Sequence, residues 1–148
     1  MDPNPAATTS LRYRLPALAC VIVVLLTAAC ADGADAEALF ARGDYPRAYA
    51  AFSRRAAAGD LAATNYLGIH YYLGAAVPRD FSRAADCFEV AAMGDNRDAQ
   101  RNLGVMYLRG LGVKQDYGRA YGWLYHAYAG GNRSAVEYLK QIADNVTP

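Results

Sequence analysis

The sequence predicts an all-α fold, a short stack of antiparallel helix pairs laid side by side as a solenoid. Three observations predict it. Six columns of residues recur every 36 positions: Asp44, Asp80 and Asp116; Arg47, Arg83 and Arg119; Ala48, Ala84 and Ala120; Phe52, Phe88 and Leu124; Ala63, Ala99 and Ala135; Leu67, Leu103 and Leu139. Within each period the apolar residues fall three and four apart, the spacing of one face of an α-helix. The composition is 54% hydrophobic but only 11% aromatic, because alanine is abundant, and small residues suit helices that approach closely. A unit of this length cannot bury its own apolar face and must stack on a neighbour. The 148 residues carry 15 Lys and Arg against 14 Asp and Glu. That balance argues against nucleic acid as a partner, since phosphate binding draws on a basic excess on one face.

Residues 1–29 read as a signal peptide. Arg12 and Arg14 precede an uncharged stretch from Leu15 to Ala29. Such a stretch reaches roughly 22 Å as a helix, short of a bilayer core of about 30 Å, which favours a secretory signal over an uncleaved membrane anchor. The stretch runs into Leu26-Thr27-Ala28-Ala29-Cys30. This resembles a bacterial lipobox, in which small residues precede a cysteine that is acylated and becomes the mature N-terminus; Thr27 stands where that motif has leucine. The resemblance implies lipidation of Cys30 and an exported, periplasm-facing lipoprotein that meets the membrane only through its acyl chains, each buried methylene contributing about 0.8 kcal/mol. Ordinary cleavage nearby, for example after Ala31, is the alternative and would give a soluble periplasmic or secreted protein. Cys20 leaves with the signal and Cys30 would be acylated, so Cys87 has no partner and a disulfide scaffold is excluded. Asp2, Arg12 and Arg14 leave as well, and the remainder is formally neutral.

The rest divides by period. Residues 30–33 form a short tether. Residues 34–60 hold a partial repeat: a first helix from about Ala34 to Arg42, then Asp44 as N-cap of a second helix that stops near Gly59. Residues 61–96 hold a full repeat, with Leu67-Gly68 on the first helix, Gly74 in the loop and Asp80 as N-cap. Its second helix carries Ala84, Cys87, Phe88 and Ala91 and stops at Gly94. Residues 97–132 are the clearest unit. Ala99, Leu103 and Tyr107 make one helical stripe, and Gly104 omits a side chain in mid-helix. That omission costs about 1 kcal/mol against alanine and is worth keeping where another helix approaches closely. The glycines of the loop from Gly110 to Gln115 can take positive φ, and Asp116 accepts free N–H groups of the next helix. Ala120, Trp123, Leu124 and Ala127 stripe that helix before Gly130-Gly131-Asn132 stops it. Residues 133–148 are a capping helix and tail: Leu139 is in register, but Lys140 replaces the glycine and would block a further close neighbour.

At these residues the chain resembles the Sel1-like repeat, a relative of the tetratricopeptide repeat. The second full unit matches nearly throughout, through Leu103-Gly104, Tyr107, Gly110-Leu111-Gly112-Val113, Asp116, Arg119-Ala120, Trp123-Leu124 and Gly131-Asn132. The first departs at Ala76, which replaces the second loop glycine, and at Cys87, which takes an aromatic position. The resemblance implies a right-handed α/α superhelical solenoid whose first helices line a concave groove. Counted from the Leu-Gly columns, Asn65, Ile69 and Tyr72, with Arg101, Val105 and Leu108, would face it. It further implies a protein or peptide partner bound along that groove, hence a scaffold or adaptor in the bacterial envelope, with no enzyme activity and no cofactor.

The residues of possible chemistry are weighed against packing. His70 shares the column of Met106 and is expected on a packed face; His126 is expected at the surface. Cys87 lies on an apolar stripe as a small hydrophobe. No histidine, cysteine or carboxylate cluster has metal-ligand spacing. Tyr117, Tyr121, Tyr125 and Tyr128 flank Trp123 at helical spacing, a pattern that more often means inter-helix packing than a recognition strip. Two rival functions stay open. One is an envelope hydrolase acting on a β-lactam or peptidoglycan fragment, opposed by the lack of a nucleophile–base pair. A cysteine-rich subfamily of Sel1-like proteins has been connected with β-lactams, but its cysteine pair in each repeat is absent. The other rival is an accessory lipoprotein of a secretion or polysaccharide-export complex.

Overall fold

A computed structural model describes residues 36–146; the signal, Cys30, the tether and the last two residues lie outside them. Seven helices and no strand make up the described residues: α1 (residues 36–41), α2 (Tyr45–Ala57), α3 (Leu61–Leu73), α4 (Phe81–Met93), α5 (Arg97–Arg109), α6 (Tyr117–Ala129) and α7 (Ala135–Val146). From α2 onward each helix packs on the next, and α5 also touches α7.

The helices start where side-chain oxygens capture free N–H groups. Asp80 and Asp116 accept from the backbone N–H of Arg83 and Arg119 at 3.0 and 2.9 Å, and Asp44 does so more loosely from Arg47 at 3.5 Å. A second column of caps, also 36 residues apart, opens the first helices: Asp60 accepts from Ala63 and Asn96 from Ala99, at 3.0 and 2.9 Å. Each such cap stabilises its helix by about 1 kcal/mol. Helix α4 stops at Gly94, as expected, but without a left-handed glycine. Gly94 keeps φ at −91°, and the left-handed residue is Asp95, at φ 64°, in the column of Gly59 and Gly131. The entry to α2 also departs from the repeat. Only residues 42–44 separate α1 from α2, against residues 74–80 between α3 and α4.

The core is thin and consists of two clusters. Ala36, Ala48, Ala51, Phe52 and Ala63 form one, joining α1, α2 and α3. The other runs through α4 to α7, with Phe88, Leu103, Met106 and Leu124 as its large members. Helix α3 belongs to both: Tyr66 and Leu67 pack on the first, Ile69, Tyr71 and Tyr72 on the second. Close approach within a pair depends on the mid-helix glycines. A Cβ on Gly68 would lie 2.5 Å from the Phe88 ring, and one on Gly104 would lie 2.6 Å from Leu124 Cγ. Position 36 residues apart, partner 36 residues apart: the same contact is made twice.

Candidate functional site

The first helices of the two full repeats, α3 and α5, line a groove of about 290 Å³ together with residues of α4 and α7. Ile69, Tyr72 and Leu73 come from α3; Arg101, Asn102, Val105 and Arg109 come from α5. Phe88 contributes from α4 and Tyr138 from α7. The periodicity explains the set. Ile69 and Val105 share a column, as do Leu73 and Arg109, and Tyr138 stands 36 residues after Asn102 because α7 is itself a first helix.

Four of the six residues expected at the groove line it: Ile69, Tyr72, Arg101 and Val105. Asn65 and Leu108 do not. Leu108 is only 4% exposed and belongs to the α4–α7 core. Asn65 is buried beneath Asn102, whose amide donates to its Oδ1 at 3.0 Å. Asn102 in turn accepts from Arg101 Nη2 at 2.9 Å, so a polar chain crosses from α5 to α3 under the groove. A column sets the direction in which a side chain leaves the helix, and its length sets whether it reaches the groove. Asn65 shares its column with Arg101, and Leu108 with Tyr72; in both pairs the shorter side chain stays inside. Leu73, Phe88, Asn102, Arg109 and Tyr138 were missed. Leu73 and Arg109 could have been found four residues, one helical turn, beyond Ile69 and Val105.

Two cations line this groove and no acidic side chain does. Arg101 Nη1 reaches Ser134 Oγ at 3.4 Å, while its Nε is buried without a hydrogen-bond partner. Apart from Asn102, the other lining residues are apolar or aromatic.

The other candidate groups are placed as follows. His70 is fully buried, like Met106 in its column. Its Nδ1 donates to the Ala75 carbonyl at 2.7 Å, Phe40, Tyr49 and Phe52 pack around the ring, and burial pulls its pKa down. Cys87 is half-buried and free, and burial pushes its thiol up, away from the thiolate. His126 is at the surface, tilted against Trp123. Among the described residues no group of three His, Cys, Asp or Glu side chains is placed to hold a metal ion, and no helix is long and apolar enough to cross a membrane.

The tyrosines of α6 overturn the packing expectation. Tyr117, Tyr121, Tyr125 and Tyr128 are 37, 51, 52 and 44% exposed. The inward face of α6 is taken by Ala120, Leu124 and Ala127, which the close approach to Gly104 requires to be narrow. The phenols are left outside, where Tyr121 and Tyr125 stack at 6.0 Å.

The Sel1 repeat model matches residues 61–96 and 97–132. No curated protein matches the sequence, whereas solved structures do. A protective antigen of uropathogenic Escherichia coli, c5321, which displays an SLR fold, is 29% identical over 80% of this chain and 26% of its own, with a TM-score of 0.74. A Sel1 repeat protein from Oxalobacter formigenes is 22% identical over 64% of this chain and 39% of its own, TM-score 0.60. Helicobacter pylori cysteine rich protein B is 22% identical over 63% of this chain and 70% of its own, TM-score 0.59. The last two show the fold alone. The chain spans about a quarter of c5321 and well under half of the Oxalobacter protein. Residues 61–96 and 97–132 are therefore similar to Sel1 repeats, and the helices on either side continue their 36-residue frame in a solenoid like that of the SLR-fold structures.

Proposed function

We propose that the protein is a non-enzymatic interaction scaffold of the bacterial envelope, holding a protein or peptide segment in the groove over α3, α5 and α7. The observation that carries this reading is the groove itself. Adjacent repeats supply equivalent residues, Ile69 with Val105 and Leu73 with Arg109, so the surface is continuous across a repeat boundary and suits an elongated occupant. Burying such apolar walls contributes about 25 cal/mol per Å² removed from water. The address rests on the sequence: the basic residues, apolar stretch and Ala28-Ala29-Cys30 describe an exported lipoprotein.

A photo-reactive side chain at Tyr72 should capture a partner in the protein's own cell, and one at Tyr125, exposed on α6, should not. Adding Tyr72→Ala and Arg101→Ala in separate chains should abolish co-purification of the captured protein. Equal capture from both positions would remove the groove as the binding surface. Fatty-acid label should be incorporated into the wild type and lost in Cys30→Ser; label that persists would overturn the lipid anchor.

A further inference from the structure

Resting on that groove reading, we infer that its occupant is an extended peptide of the pattern acidic–x–apolar–x–acidic, laid along α5. Arg101, Val105 and Arg109 stand at i, i+4 and i+8 on one face. With a helical rise of about 1.5 Å per residue the two arginines start roughly 12 Å apart. In an extended peptide, side chains at positions 1, 3 and 5 leave one side and span about 13 Å. Carboxylates at 1 and 5 therefore meet the two guanidiniums, and the residue at 3 falls on Val105, with Ile69 and Tyr72 as the facing wall.

Charge points the same way. Arg101 has neutral acceptors at Nη1 and Nη2 and a buried, unpartnered Nε. A guanidinium taken partly out of water without a carboxylate is an incomplete arrangement, because buried charge is stable when paired and hydrogen-bonded. Two nearby acids point to other partners: Asp98 on α5 accepts from Asn132 at 2.8 Å, and Glu137 on α7 faces Lys140 at 3.9 Å. Two cations on either side of Val105 match discrete carboxylates better than a continuous phosphate chain.

The test is fluorescence anisotropy with the full chain in detergent. The labelled probe is acetyl-Gly-Glu-Ser-Leu-Ser-Glu-Gly-amide, compared with its Gln-for-Glu counterpart and with acetyl-Gly-Glu-Glu-Leu-Ser-Ser-Gly-amide. The spaced Glu peptide should bind at least tenfold more tightly than either control. Arg109→Gln and Arg101→Gln should each shrink that preference, with circular dichroism unchanged, and Ile69→Ala should weaken the Glu and Gln peptides alike. Equal binding of the Glu and Gln peptides would overturn the acidic pattern while leaving the groove as a binding surface. Binding by none of the three would also overturn it, and capture from Tyr72 would then decide separately whether the groove binds another kind of segment.

Discussion

Single residues carry strains and gains that the repeat frame alone would hide. His70 is neutral in its ring of aromatic side chains, and desolvation holds its pKa below the ordinary 6.5. The unfolded chain takes up a proton as pH falls past that value, while the folded chain resists. Stability is therefore full above pH 6.5 and is lost as pH falls toward the folded pKa. The melting temperature should drop between pH 7.5 and 5.5, and His70→Met, which copies Met106, should flatten that drop; an unchanged slope would acquit His70. Ala76 and Gly112 share a column and a left-handed backbone, φ 69° and 68°. An alanine there costs about 1 kcal/mol against glycine, so Ala76→Gly should raise the denaturation midpoint. Gly112→Ala should lower it by more, because a Cβ there would also strike the Phe81 carbonyl.

At the scale of helices, close approach outweighs helix propensity. Gly104→Ala gains about 1 kcal/mol of propensity, yet its Cβ would sit 2.6 Å from Leu124 Cγ and 3.2 Å from the Ala120 carbonyl. Overpacking of that kind costs about 1–3 kcal/mol, so the net change should be destabilising. Gly122, on the same pair but with nothing within 4 Å of a Cβ, should gain stability as alanine. Chemical denaturation of the two variants checks the contrast, and shifts of the same sign would mean that α5 and α6 are not held this closely. The junction of α2 and α3 is fixed differently. Asp60 caps α3 and binds Arg55, which also reaches Glu37 on α1; its carboxyl is pulled below the usual range, chiefly by the Ala63 N–H bond. Asp60→Ala should therefore cost about 1–2 kcal/mol, mostly as the lost cap.

Among the described residues α3 packs on both core clusters and joins them, and this predicts divided stability. Phe52 is fully buried between α1, α2 and α3, stacked on Tyr66 at 4.3 Å. Phe52→Ala removes about 3–5 kcal/mol of packing. Its effect should stay local, since each unit touches only its neighbours. Amide exchange should quicken in α1 and α2 and remain slow in α4 and α5; uniform quickening would show one cooperative core instead. The period of 36 determined the helix pairs, their caps at Asp80 and Asp116, and the close contacts of Gly68 and Gly104, because each is fixed by backbone geometry that recurs with the column. It determined the direction of the groove residues too, through Ile69 and Val105. It did not determine reach. Whether Asn65, Leu108 or the α6 tyrosines end inside or outside depends on side-chain length against the space a neighbouring helix leaves, and only the packed structure sets that space.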